Sequence, residues 1–175
     1  MNAIRPKTLF LARLAILIAF TLVIQMAGLP QPVTGPLVNA LLLITAAILG
    51  GLSGVALGCM TPLVALLRGQ LPPVLAPMVP FIAAANALLV FVFHAFFVRK
   101  SREWHVYAGI IAAAVVKYLF LMLSAQVLLP AVFGHDIPAV FIIAMSTPQL
   151  ITALVGGLIA AVFIKLIQRA GVQLR

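Results

Sequence analysis

Apolar residues run along the chain in long blocks, broken by short stretches rich in proline, glycine or charge. The blocks cover residues 9–26, 37–49, 52–67, 81–98, 106–129 and 139–167. A membrane-spanning helix takes about 20 apolar residues, because the hydrocarbon core is about 30 Å thick. The pattern therefore predicts an all-α membrane protein, with six transmembrane helices in one integral membrane domain over residues 1–175. The second and third blocks are short for full spans, which implies tilt or partial depth. Gly50, Gly54 and Gly58 recur every four residues and would share one helix stripe. Small residues at that spacing let backbones approach closely in lipid, so these two blocks are expected to form a tight hairpin. Arg5 and Lys7 ahead of the first block resemble the start of a signal peptide. Further apolar blocks follow with no polar domain to export, so a retained first span is expected.

Three connections stand out, at residues 28–36, 68–80 and 130–138. All are proline-rich and nearly uncharged. The middle one carries four prolines, Pro72, Pro73, Pro77 and Pro80, which oppose a regular helix. An apolar segment of this kind is expected to fold back on the protein. Pro148 either kinks the last block or marks where it properly begins.

Composition turns this pattern into an exclusion. Hydrophobic residues make up 65% of the chain and charged residues 7%, against about a quarter charged in an average soluble domain. Mean hydropathy is +1.29. Too few polar groups are present to cover a soluble surface. A soluble enzyme, a disordered chain and a disulfide scaffold are excluded, the last also because Cys59 is the single cysteine. The net charge of +9 raises nucleic acid as a partner, but the basic residues sit at the ends of apolar blocks rather than on one solvated face, so no nucleic-acid partner is expected. They write orientation instead. With the N-terminus inside, Arg5, Lys7, Arg13, Arg99, Lys100, Arg102, Lys165, Arg169 and Arg175 fall in the cytoplasm and Arg68 alone falls outside. That bias fits an even number of spans with both termini cytoplasmic.

Catalysis is not expected. No glycine-rich loop ends in Lys-Ser or Lys-Thr, and His94, His105 and His135 fall apart from one another, without metal-ligand spacing. Glu103 and Asp136, the only acids, fall on opposite sides of the membrane and cannot pair. No buried carboxylate or histidine relay is visible, which argues against a self-powered secondary transporter.

The informative polar groups lie inside the spans. Lys117 sits near the middle of the fifth, where an isolated ammonium is expensive and should face the bundle interior or a watery cavity. Its partner would be an anionic ligand, water or backbone carbonyls. Asn39, Asn86, Gln149 and Thr152 join it in the outer half of the bilayer, with Ser124 and Gln126 nearby. Together they outline a substrate pocket open to the outside, rimmed by Arg68, His135 and Asp136. Interhelical hydrogen bonding is the competing explanation for the Asn, Gln, Ser and Thr residues, snorkelling toward an interface for Lys117, and a solvated loop charge for Arg68, His135 and Asp136. Two stripes of small residues complete the pattern. Ala12, Ala15 and Ala19 line the first helix, and Ala153, Gly157 and Ala161, with Gly156 and Ala160, line the last.

In combination these features resemble the substrate-binding S components of energy-coupling factor (ECF) vitamin transporters. The resemblance is carried by Ala15-x-x-x-Ala19, the run from Thr34 to Ala40, the glycine hairpin, the stretch from Leu71 to Ile82 with Asn86-Ala87, and the run from Pro148 to Ala153. It covers nearly the whole chain. It implies a six-helix bundle in a prokaryotic plasma (inner) membrane that takes a vitamin or related nutrient from outside. Such a component docks on a membrane coupling (T) protein and two ATPase subunits, and is thought to topple to deliver its cargo. ATP is then used by the partner ATPases, and no cofactor is implied for this chain. The resemblance assigns docking to Ala12, Ala15 and Ala19. It implies a pocket built from the outer loops and the last three helices, with Thr34, Arg68, Gln70, His135 and Asp136 as loop or lid candidates. Lys117 points to an anionic group on the substrate, and the scarcity of acids argues against a cation such as thiamine. Stacking on a flat ring would depend on Phe81, Tyr118, Phe133 and Phe141. Two other functions stay open on the residues alone: a small polytopic membrane enzyme or scaffold, and a self-sufficient oligomeric carrier.

Overall fold

The computed structural model describes residues 6–99, 104–133, 139–171 and 174, and every regular element among them is helical. In chain order they are α1 (Pro6–Met26), α2 (Gln31–Leu49), α3 (Gly51–Leu67), a 3-10 helix (Pro73–Met78), α4 (Val79–Phe97), α5 (Trp104–Leu123), a π-helical turn (Ser124–Leu128), α6 (Leu129–Phe133), α7 (Ala139–Ala144) and α8 (Thr147–Arg169). Five helical segments are long and apolar enough to cross a bilayer, and Gly51–Leu67 is a shorter apolar helix. The chain is thus a membrane-type bundle with five to six apolar crossings.

Packing follows from which helices are apolar on all sides. α2 is the central element and touches α1, α3, α4 and α8. Its residues Leu42, Leu43, Ala46 and Ala47 are fully buried, and they meet Leu89, Val90 and Phe93 of α4 in the main core. α5 closes the bundle between α4 and α8. α1 leans on α2 and α3 through Leu17, Thr21 and Gln25 and leaves most of its surface exposed. A second apolar cluster joins Leu75 and Met78 of the 3-10 helix to Ala85, Leu121, Leu129 and Met145.

The glycine hairpin forms with a single connecting residue. Gly50 has φ +96, a left-handed value that L side chains rarely adopt, and this lets α2 reverse directly into α3. Gly54 then faces inward. A Cβ there would lie 2.9 Å from the Leu42 carbonyl oxygen and 2.9 Å from Val90 Cγ1, so α3 lies close against both α2 and α4.

Several boundaries differ from the sequence pattern, for local reasons. The second helix begins at Gln31, not 37, which shortens the first connection to a few residues around Gly28. Pro32 sits in the first turn, where a missing N–H is not needed, and Pro36 removes only one backbone bond. The proline-rich middle connection folds back as a 3-10 helix whose own Leu75 and Met78 are buried. The fifth block extends from Trp104 through the π-helical turn to Phe133. The sixth is not one helix: it breaks after Ala144, and α8 begins at Thr147 with Pro148 in its first turn.

Candidate functional site

The site starts from a defect in α3. Pro62 has no N–H, so the Gly58 carbonyl loses the donor a regular helix would give it. Two side chains replace it. Thr61 Oγ1 donates to Gly58 O at 3.0 Å, and Asn86 Nδ2 of α4 donates to the same oxygen at 3.0 Å. Asn86 Nδ2 also lies 3.1 Å from Thr61 Oγ1. With its nitrogen held against α3, the Asn86 amide turns its oxygen the other way, toward α5.

That oxygen receives Lys117. Lys117 Nζ donates to Asn86 Oδ1 at 2.7 Å and to Asn39 Oδ1 of α2 at 2.7 Å. All three side chains are buried. Bonds from an ionised donor to an amide oxygen are short and strong, and they offset part of the cost of holding an ammonium away from water. Two of its partners are therefore side-chain amides, which the sequence alone did not pair with it. Both bring neutral oxygens and no compensating negative charge.

The cluster forms one wall of a cavity of about 310 Å³. The cavity lies toward the bundle end that carries the α1–α2 turn and the 3-10 helix. Its volume is near the lower end for small-molecule sites. Asn39, Asn86, Lys117 and Gln149 all line it, and so do Thr34 and Gln70. Gln70 Nε2 donates to the Leu29 carbonyl at 3.2 Å and to Thr34 Oγ1 at 3.2 Å, tying the α3–α4 connection to the start of α2. Gln149 Nε2 donates to Ala144 O at 3.3 Å across the break before α8.

Other expected site residues lie elsewhere. Thr152 does not line the cavity. It sits on the α8 face that packs on α2, its Oγ1 donates to Gln149 O at 3.1 Å, and its methyl meets Gly35. Arg68 is exposed and donates to Met26 O at 3.3 Å, fastening the end of α3 to the end of α1. Ser124 is buried but bonds back to Phe120 O at 2.7 Å within its own helix. His135 and Asp136 fall outside the described residues. None of the described cavity-lining residues is aromatic. Phe81 packs instead on the apolar cluster around Leu75, and Tyr118 is half-buried away from the cavity; the side chains of Phe133 and Phe141 fall outside the described residues.

Sequence reasoning missed Gln25, Gln31 and Thr61, which also line the cavity. Their helices, α1 to α3, contribute as much wall as the last three, so a pocket confined to the outer loops and later helices is too narrow a description. The usable signal is that Gln25 is the lone amide of its block, as Asn86 is of its own. Ala12, Ala15 and Ala19 all lie on the exposed face of α1, beside Ile16 and Phe20.

Among the described residues no group of three or more His, Cys, Asp or Glu side chains comes together. What the arrangement offers is recognition: a fixed ammonium, several amides and an apolar floor in an enclosure suited to a small polar molecule. No curated protein and no solved structure matches the chain. The sequence model of the family described as "ECF transporter, substrate-specific component" matches residues 9–172. Over nearly its whole length, then, the chain belongs to the substrate-specific components of ECF transporters.

Proposed function

We propose that this protein is the high-affinity substrate-binding subunit of an ATP-driven importer for a vitamin or related small nutrient. In this account α3 is the sixth crossing and both termini are cytoplasmic. The cavity then lies on the outer side of a prokaryotic plasma membrane, and the basic ends of the helices lie inside. The observation that carries the proposal is the Lys117–Asn39–Asn86 cluster on the cavity wall, built from three helices of a family member. A lysine this deep in a bundle is costly, and a polar or anionic group on a captured nutrient gives it a purpose.

Delivery follows from the exterior. α1 shows a smooth surface of Ala12, Ala15 and Ala19, suited to close approach by a membrane coupling protein. That protein would sit on two ATPases, which supply the energy. The loaded subunit topples against it and releases its cargo inside. This chain needs no cofactor of its own in the scheme.

Native mass spectrometry of the purified protein tests the proposal. One small molecule bound per chain, with uptake that requires the ATPase partners, is the expected result. A protein that retains no small molecule and binds none of the vitamins, or uptake in liposomes holding this chain alone, would sink it.

A further inference from the structure

Proline is costly inside a helix, because it lacks an N–H and its ring crowds the carbonyl four residues back. Pro62 occupies such a place in α3 and is buried, and the crowded carbonyl is that of Gly58. In a membrane helix a neighbouring hydroxyl is repair enough for a freed carbonyl. Thr61 makes that repair at 3.0 Å. Yet a second donor reaches the same oxygen from another helix, Asn86 Nδ2 at 3.0 Å. Both lone pairs of the Gly58 carbonyl are thus taken by side chains, a pairing that a regular helix would not leave room for.

The approach of α4 to this oxygen is arranged one turn earlier. A Cβ at Gly58 would lie 3.1 Å from Asn86 Cβ, tighter than ordinary contact, so the bare glycine lets α4 come in close. The turn is also pinned from its other side, where Gln25 Nε2 of α1 donates to the Thr61 carbonyl at 2.8 Å. Asn86 therefore meets a fixed acceptor, and its Nδ2 also lies 3.1 Å from Thr61 Oγ1. Its oxygen is left for Lys117 Nζ at 2.7 Å. Turned over, the amide would set its oxygen against the Gly58 carbonyl and its N–H groups against the ammonium. Pro62, Asn86 and Lys117 all line the cavity. The direction of one amide thus sets the arrangement of this wall.

Resting on the capture function above, we propose that Pro62 is a positioning residue for substrate binding. With Gly58 it holds the Asn86 amide in one orientation, and through Asn86 it keeps the Lys117 wall in the single arrangement the substrate recognises. A residue with an N–H at position 62 would return to Gly58 O its own helical donor. Three donors cannot share two lone pairs, and Asn86 Nδ2, which comes from another helix, is the one to yield. Asn86 and Lys117 then lose their fixed geometry.

Pro62→Val supplies the N–H and keeps apolar bulk on the wall; Pro62→Ala supplies it with less bulk. The full-length parent and both variants are offered biotin, pantothenate, riboflavin, folate and thiamine at equal concentration and read by native mass spectrometry. The probe, or co-purified molecule, that the parent holds best should be held about tenfold more weakly by both variants, the scale of one hydrogen bond. Melting should stay at or above the parent's, because a regular helical turn is restored. In protein labelled on asparagine, the Asn86 side-chain amide signal should shift in both variants with no probe present.

Unchanged binding in both variants, or an Asn86 signal that stays in place, would overturn the proposal. Weaker binding by Pro62→Ala alone would mean that the ring is only a wall contact. A fall in melting, or failure to fold, would make Pro62 a packing residue, and either result overturns it as well. A parent that takes up no probe and carries no co-purified molecule would instead remove the capture function itself. The shift of the Asn86 signal is read without any probe, so the two failures are distinguishable.

Discussion

The first and last long helices carry the same sequence signal and use it in opposite ways. On α8, Ala153, Gly156, Gly157, Ala160 and Ala161 are all buried. Gly156 packs on Pro36 and Asn39 of α2, and Gly157 packs on Ile110 of α5. On α1, Ala12, Ala15 and Ala19 face outward, while Leu17, Thr21 and Gln25 hold the helix to its neighbours. Small residues at spacings of three and four report only that something comes close. On α8 that something is the chain's own backbone. On α1 nothing among the described residues covers the stripe. The difference separates a stripe that builds the fold from one available to a partner.

The strongest way to break this comparison is at Gly156. A Cβ there would lie 2.6 Å from the Pro36 carbonyl oxygen and 2.7 Å from Asn39 Cβ. Backbone cannot step aside as a flexible side chain can. Gly156→Leu is expected to abolish folded, monodisperse protein, read by size-exclusion elution and melting. A well-folded Gly156→Leu would mean that α8 is not locked against α2. Next in size is Ala15→Arg. Nutrient uptake in cells carrying the partner subunits should fall to background, with melting shifted by no more than about 0.5 kcal/mol equivalent, as for an open surface site. If folding is lost instead, the α1 stripe is internal after all. Ala153→Leu should fall between fold and function, destabilising by about 1–3 kcal/mol through overpacking while leaving some folded protein. Smallest is Ala19→Ser, which keeps the side chain small and should leave uptake near the parent level. A large loss there would show that the α1 surface demands more than smoothness.

Much of the fold was legible because membrane helices announce themselves by length and hydropathy, and α1 and α4 begin within a few residues of the expected positions. The start of α2 was not, since Pro32 and Pro36 read as breakers when scanned alone; only placement in the first turns makes them harmless. The site was legible residue by residue but not as a unit. Depth alone marked Lys117, and polarity within apolar blocks marked Asn39 and Asn86. Their convergence spans separations of 78 and 31 residues along the chain, which no local pattern encodes. Thr152 shows the limit from the other side. It is polar like its neighbour Gln149, yet its side chain packs against Gly35 of α2. Gln25 is not legible in the sequence because it ends the helix that carries the alanine stripe, although the last turn of that helix reaches the cavity.

The most direct test of the account is the small-molecule occupancy of Lys117→Met compared with the parent, both purified alike and read by native mass spectrometry. Methionine keeps the length of the side chain, removes its charge and suits a lipid-embedded bundle. The account predicts a folded protein of unchanged helix content whose bound nutrient is lost or weakened by about a hundredfold, in line with truncating a buried charged contact. A Lys117→Met protein that holds the same molecule as tightly as the parent would contradict it, and would leave Lys117 as a structural tie between α2, α4 and α5.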